Sequence, residues 1–410
     1  MTTTLTIGSR GSQLALWQAR HIQDRLAQLG VPSRIEIIKT TGDKITDVPL
    51  AKVGGKGLFT KEIEEALLDR RIDLAVHSLK DLPTELPPGL VLAAIPERED
   101  TADALLGARL AGLPSGACVG TSSLRRAAQI RALRPDLVIE NIRGNLDTRI
   151  RKLDEGQYHA ILLAAAGLRR LGWADRITEL LTPDIMVPAV GQGALAIETR
   201  AGDPAFEACR ALDHAPTRAA VTAERALLAA LGGGCQVPIG AHASLNPDGL
   251  LHLLAVVAHP DGQTLLRHHE AAPPEHAAEL GRRTADALLD LGARAILVSV
   301  YGDAPPLAGL RILNTRPADQ AGALSNQLRR LGAEVVELPA IALVPLDFEP
   351  VDPNAFDWIV FTSANAVRHF WRQTPAAPPA ACLCALGPAT AAALDALGLP
   401  PHLVAAQHQA

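Results

Sequence analysis

The residue most open to covalent chemistry is Cys235, in the stretch Gly232-Gly233-Gly234-Cys235-Gln236-Val237-Pro238. Neither helix nor strand propensity favours a run of glycines. They let the backbone take φ > 0 and leave the next side chain mobile. A free thiol has a pKa near ~8.5, so nearby cations would have to activate it at neutral pH. No His or Asp beside it completes a hydrolase-like relay. The cysteine reads as a covalent anchor or nucleophile, with a buried free cysteine beside a helix-capping glycine run as the plain alternative.

A second candidate is the turn His77-Ser78-Leu79-Lys80-Asp81-Leu82-Pro83, which follows an apolar strand. Adjacent side chains at a strand end diverge. Lys80 can therefore bind an anion while Asp81 handles a proton or a cation. A surface turn capped by Asp81 is the alternative, and His77 reads as a satisfied strand-end histidine.

Three strand–helix junctions share one chemical logic: Gly8-Ser9-Arg10-Gly11-Ser12, Gly120-Thr121-Ser122-Ser123-Leu124-Arg125-Arg126, and Ile142-Arg143-Gly144-Asn145 with Arg149 one turn on. A helix N-terminus offers unpaired N–H groups and partial positive charge. An arginine there adds a fork that holds a carboxylate or phosphate through two parallel hydrogen bonds. The alternative, a surface carboxylate for each arginine, weakens when three junctions repeat the pattern. Lys52 and Lys56, in a glycine-rich loop, add positive charge. Gly191-Gln192-Gly193 lacks the third glycine of a dinucleotide fingerprint.

These groups need a scaffold, and the pattern of short apolar runs alternating with amphipathic helices predicts α/β. Expected strands are Leu5–Ile7, Arg34–Lys39, Asp73–His77, Leu90–Ile95, one at Cys118, Leu137–Ile142 and His159–Ala165. Expected helices run from Ser12 as N-cap to about Leu29, from Ser123 to Arg134, from Asn145 to Glu155, from Thr217 to Leu231 and from Pro274 to Leu291. Residues 44–59 read as a mobile loop. Glu97–Asp103 reads as a hinge, and Pro188–Glu198 as a return crossing.

Of the 410 residues, 48% are apolar, 20% charged and only 3% aromatic, with a net charge of −5. That balance gives no reason to expect nucleic-acid or membrane binding, so any anion site must come from local clustering. The N-terminus has no signal-peptide pattern, and no apolar stretch approaches a membrane span. Five dispersed cysteines argue against a disulfide framework and for a reducing cytoplasm. Cys382-x-Cys384 lacks further ligand spacing, so no metal is expected.

Taken jointly, seven motifs resemble the hydroxymethylbilane synthase (porphobilinogen deaminase) family. They are Gly8-Ser9-Arg10-Gly11-Ser12, Ala51-Lys52-Val53-Gly54-Gly55-Lys56-Gly57-Leu58-Phe59, Val76-His77-Ser78-Leu79-Lys80-Asp81, the Gly120–Arg126 run, Arg143-Gly144-Asn145, Pro188-Ala189-Val190-Gly191-Gln192-Gly193 and Gly233-Gly234-Cys235-Gln236-Val237-Pro238. They occur in family order over about residues 1–303. The resemblance implies two type II periplasmic-binding-protein-like lobes, a small α+β third domain and a partial α/β segment. It places domain 1 at 1–97 and 194–213, domain 2 at 98–193, domain 3 at 214–303 and a linker at 304–309.

The same resemblance implies a dipyrromethane cofactor joined to Cys235 by a thioether. Four porphobilinogen molecules are condensed head to tail, each losing ammonia, before hydrolysis releases a linear hydroxymethylbilane. Asp81 carries over as the catalytic carboxylate, assisted by Lys80. Arg10, Ser12, Lys80, Asp81, Thr121, Ser122, Arg125, Arg126, Arg143, Gly144 and Arg149 carry over as cofactor-binding. Arg10, Lys52, Lys56, Phe59, Arg143 and Gln192 carry over as substrate-binding. A cytoplasmic monomer with a small-molecule partner is expected.

Residues 310–410 resemble the start of the uroporphyrinogen-III synthase family, through Leu313-Asn314-Thr315-Arg316-Pro317, Phe361-Thr362-Ser363-Ala364-Asn365-Ala366-Val367 and Leu386-Gly387-Pro388-Ala389-Thr390-Ala391. That family's two domains interleave and only about 100 residues are here, so a truncated fusion without cyclase activity is expected. The alternatives are a bifunctional fusion, a non-enzymatic two-lobed anion binder, and a nucleic-acid binder using Arg125-Arg126.

Overall fold

The computed structural model describes residues 4–41, 59–232, 237–301, 307, 310–342, 348–349, 351–374 and 380–405. The mobile loop expected at 44–59 (Phe59 apart), Lys52, Lys56, Cys235 with Gly233 and Gly234, and most of the expected linker lie outside the described residues.

The chain opens with β1 (Leu5–Ser9), β2 (Ser33–Ile37), β3 (Leu74–Ser78) and β4 (Leu90–Ala94). It crosses to β5 (Asp103–Leu106), β6 (Cys118–Gly120), β7 (Val138–Glu140), β8 (Ala160–Ala164) and β9 (Glu179–Leu181), and returns as β10 (Leu195–Arg200). Two five-stranded sheets result, ordered β2-β1-β3-β10-β4 and β7-β6-β8-β5-β9. In the first, β1 runs parallel to β2 and β3, and β10 lies antiparallel between β3 and β4. The second repeats this: β6 is parallel to β7 and β8, and β5 is antiparallel to β8 and β9. Each sheet's antiparallel strand immediately follows a crossing. That exchange gives the expected pair of type II periplasmic-binding-protein-like lobes.

Central strands are covered on both faces and read as continuous apolar runs. All five residues of β1 are buried. Ile7, Ile22, Leu26, Leu74 and Ile197 are fully enclosed in the first core, each worth roughly 1.5–3 kcal/mol of transfer free energy. The two Ser-capped helix starts hold: Ser12 accepts from Ala15 N at 3.3 Å and Ser123 from Arg126 N at 3.4 Å. Among the described residues five helices went unread: Ala165–Arg170, Pro204–Arg210, Ala293–Tyr301, Ala364–Gln373 and Pro388–Asp395. The first has no side-chain cap and four buried residues, so in sequence it continues the apolar run of β8. The expected return strand from Pro188 becomes regular only at Leu195.

A third sheet, β11 (Ile239–Leu245), β12 (Leu251–Ala258) and β13 (Leu265–Ala272), is an antiparallel meander. Its alternate residues Leu251, Leu253, Ala255 and Val257 form one core with helices Ala215–Ala230 and Ala277–Asp290.

The described chain divides into two compact units, Met1–Ile312 with Asn326–Val335, and Leu313–Ser325 with Val336–Ala410. In the tail, β14 (Arg311–Asn314) and β15 (Glu334–Glu337) make a two-stranded sheet. β16 (Trp358–Phe361), β17 (Cys382–Ala385) and β18 (Leu403–Val404) make a parallel one. Phe361, Val367, Leu383, Ala385, Leu394 and Leu399 are its small core. Among the described residues no helix is long and apolar enough to cross a membrane.

Candidate active site

The C-terminal end of β3 runs into a 3-10 turn, Leu79–Asp81. Leu79 is the anchor: its side chain is 1% exposed and its N–H donates to Ala194 O at 3.0 Å. Lys80 and Asp81 then project into a cavity of about 690 Å³. Ser78, on the same wall, is held by Gln18 Nε2 at 2.8 Å.

The other walls come from strand–helix junctions. From the first, Arg10 lines the cavity with its guanidinium 4.1 Å above the Phe59 ring, and Ser12 lies beside it. From the second come Ser122, whose hydroxyl donates to Ile142 O, and Arg126. From the third come Arg143, Gly144 and Arg149. Arg149 Nε donates to Gly144 O at 2.8 Å, and Gly144 has φ +107°. Sequence reasoning thus located residues that the tertiary structure gathers on one cavity.

It did not separate wall from foundation. Arg125, Thr121 and Gln192 are buried and lie behind the lining. Arg125 Nη1 donates to Asp103 Oδ2 and to Val187 O, both at 2.7 Å. Thr121 Oγ1 accepts from Ser123 N at 3.2 Å. Gln192 Nε2 donates to Asp103 Oδ1 at 2.9 Å and Thr101 O at 2.8 Å. His77 is satisfied as expected, its Nε2 lying 3.0 Å from buried Glu198 Oε2.

Two cavity cations were missed. Lys152 lies two turns into helix Leu146–Asp154. Arg170 ends helix Ala165–Arg170, and its Nη2 donates to Gly193 O at 2.6 Å. The signal for Arg170 was an apolar run closing on Arg169-Arg170, at the far end of a helix whose start carries no Ser, Thr or Asn cap.

The charge density is legible in the pKa directions. Burial pulls the Lys80 ammonium down to about 8, with Arg126 and Arg125 adding to the effect against Asp81 and Asp103. Burial, then Arg126, takes Arg149 down to about 10. Burial likewise takes Arg170 to about 10. Crowded, partly desolvated cations of this kind gain from a polyanionic occupant.

Residues 5–208 match the family described as "Porphobilinogen deaminase, dipyromethane cofactor binding domain", and residues 218–290 match "Porphobilinogen deaminase, C-terminal domain". A protein named porphobilinogen deaminase from Syntrophobacter fumaroxidans is 54% identical over 303 residues, 72% of this chain and 98% of that protein. The chain belongs to the porphobilinogen deaminase family. Another porphobilinogen deaminase, from Ralstonia nicotianae, is 54% identical over 74% of this chain and 94% of its own. Residues 322–410 match the family described as "Uroporphyrinogen-III synthase HemD". Among solved structures, a periplasmic substrate-binding protein of an ABC transporter from Coxiella burnetii is similar over 54% of this chain and 95% of its own, with 13% identity and a TM-score of 0.34.

The family's cofactor is a dipyrromethane whose rings carry acetate and propionate groups. The cavity fits such a group by its donors. Arg143 Nη2 is buried with no hydrogen-bond partner among the described residues, an unmet cationic donor on a cationic wall. Such a group is costly to bury until an anion reaches it.

Proposed function

We propose that this cavity is where the chain performs its family's hydroxymethylbilane synthase reaction. The activity is a transferase step of tetrapyrrole biosynthesis: four porphobilinogen molecules are joined head to tail with loss of ammonia, and the linear product is released by water. The carrying observation is the convergence of Arg10, Arg126, Arg143, Arg149, Arg170 and Lys80 around Asp81. When bound, the dipyrromethane supplies a free pyrrole α-carbon as the nucleophile.

The chain's own groups do the rest. The arginines pair with acetate and propionate carboxylates, so each ring is held by its rim with its reactive edge free. Arg126, Arg143 and Arg149 hold the primer side; Arg10 with Phe59 receives substrate. Asp81 Oδ accepts from pyrrole N–H groups, stabilises the positive charge that develops as ammonia departs, and assists proton transfer to that amine. Lys80 Nζ holds a carboxylate beside it. Cys235, together with Lys52 and Lys56, completes the reading: the thiol anchors the primer, and the glycines before it allow presentation in the cavity.

The reading places domain 1 at 1–97 and 194–213, domain 2 at 98–193 and domain 3 at 214–303, supported by strand membership of the three sheets. It includes a monomer, since one chain carries the groups the chemistry needs. It also includes a reducing cytoplasm, supported by unpaired Cys118, Cys209, Cys382 and Cys384 among the described residues.

The test is the intact mass of purified chain together with an Ehrlich colour reaction. A mass increment of two pyrrole units, lost in Cys235→Ser, is expected. Asp81→Asn should keep the increment and the fold while turnover drops by roughly 10²–10⁴-fold. Active chain carrying a bare Cys235 thiol would refute the anchor, and near-normal turnover in Asp81→Asn would refute the acid.

A further inference from the structure

Behind the cavity wall, one fully buried carboxylate gathers both arginines of the Arg125-Arg126 pair. Asp103 is the first residue of β5, where the first crossing enters the second sheet. Its Oδ1 accepts from Arg126 Nε at 2.8 Å and from Gln192 Nε2 at 2.9 Å, and lies 2.7 Å from Arg126 Nη2. Its Oδ2 accepts from Arg125 Nη1 at 2.7 Å. Burial alone would raise this carboxyl, but the two guanidiniums hold it well below the usual carboxylate range.

Three consequences follow. First, Arg126 is engaged edge-on by Nε and Nη2, while its Nη1 donates to Leu162 O at 3.1 Å. A guanidinium has five N–H groups. Three are committed, and two are left for the occupant of the cavity that Arg126 lines. Second, two cations share one anion, so the cluster keeps one surplus positive charge beside the cavity. Third, both crossings end on this carboxylate. Gln192 belongs to the return crossing and also grips Thr101 O, and Arg125 reaches Val187 O of the same crossing.

We propose that Asp103 is a positioning residue: it aims Arg126 into the cavity and ties anion binding there to the two segments that cross between the sheets. This rests on the anion cavity of the proposed function, not on the identity of the bound pyrrole. A carboxylate that moved Arg126 would have to move Asp103, and with it both crossings. Occupancy and the angle between the sheets are then coupled through one side chain.

The test separates positioning from mere neutralisation. Arg125→Met combined with Asp103→Asn leaves the cluster with the same single surplus charge, now on an unpinned Arg126. Inorganic pyrophosphate is titrated calorimetrically into the full chain carrying Cys235→Ser, with and without that pair of substitutions. Positioning predicts at least a tenfold loss of affinity at unchanged net charge. It also predicts that pyrophosphate slows amide exchange at 98–103 and 187–192 in the parent chain but not in the variant. Affinity within twofold of the parent, or the same slowing in both, would overturn it. Should the double variant not fold, Asp103→Glu keeps both charges and shifts the carboxylate by one methylene. A severalfold affinity loss is then expected, and an unchanged affinity overturns the proposal. Failure of the parent chain to bind pyrophosphate ends the cavity reading and this one together. An unmodified Cys235 in active protein ends only the anchor.

Discussion

Lys80 shows how one residue's environment sets a working range. Its ammonium titrates near 8 instead of 10.5, chiefly because the half-buried cavity wall strips it of water. Below about 8 it is charged and can hold a carboxylate; as pH rises through 8 it loses that ability. Accordingly, kcat/KM for porphobilinogen should fall on the alkaline side of 8, mainly through KM. Lys80→Arg, charged throughout, should move that limb to higher pH, and a limb at the same pH in both would show that another group titrates. The stability sign is opposite. The unfolded chain binds the Lys80 proton more tightly, so its cost to folding is fully present below about 8 and is relieved as pH rises towards 10.5.

At the scale of elements, the two crossings depend on residues that no helix or strand pattern announces. Gly193 has φ +85°, and a Cβ there would collide with Glu99 O of the other crossing. Gly202 has φ +69° with open space around it. Both should pay the left-handed penalty of about 1–3 kcal/mol when changed to Ala, but only Gly193→Ala also forces the crossings apart. Urea unfolding should show Gly193→Ala as clearly the less stable, with turnover reduced beyond that of Gly202→Ala. Equal effects would mean that the close approach is dispensable. The helix Ala165–Arg170 makes the complementary point, since burial rather than periodicity decides that it exists.

For the whole molecule, a net charge of −5 coexists with a strongly cationic cavity. The charge is sorted by folding, not by composition. The tail is a separate case. One face of its three-stranded sheet leaves Trp358 50%, Val360 56% and Leu403 53% exposed. Apolar residues so open on one sheet face do not enclose a catalytic core. The full chain supplied with porphobilinogen should therefore release linear product, as chromatography of the oxidised porphyrins would report. A ring with one pyrrole inverted, formed by this chain alone, would show that the tail is a working cyclase.

By itself, the order of residues determined which chemistry was on offer. The thiol on glycines, the Lys80-Asp81 turn and the arginines at helix starts are local patterns, and local patterns survive without coordinates. The strands and helices with a clear apolar period or a Ser cap followed for the same reason, whereas short buried helices such as Ala165–Arg170 did not. Which arginine faces the cavity and which faces inward was decided only in three dimensions. Arg125 and Arg126 are neighbours on one helix and share Asp103, 22 residues before Arg125 in the chain; Arg125 also reaches Val187 O and is spent inside, whereas Arg126 lines the cavity. The place of Arg170 in the cavity and the close approach of Gly193 to Glu99 were invisible for that reason too, although both crossings were legible. Their roles come from partners far away in sequence, and only packing brings such partners within hydrogen-bond reach.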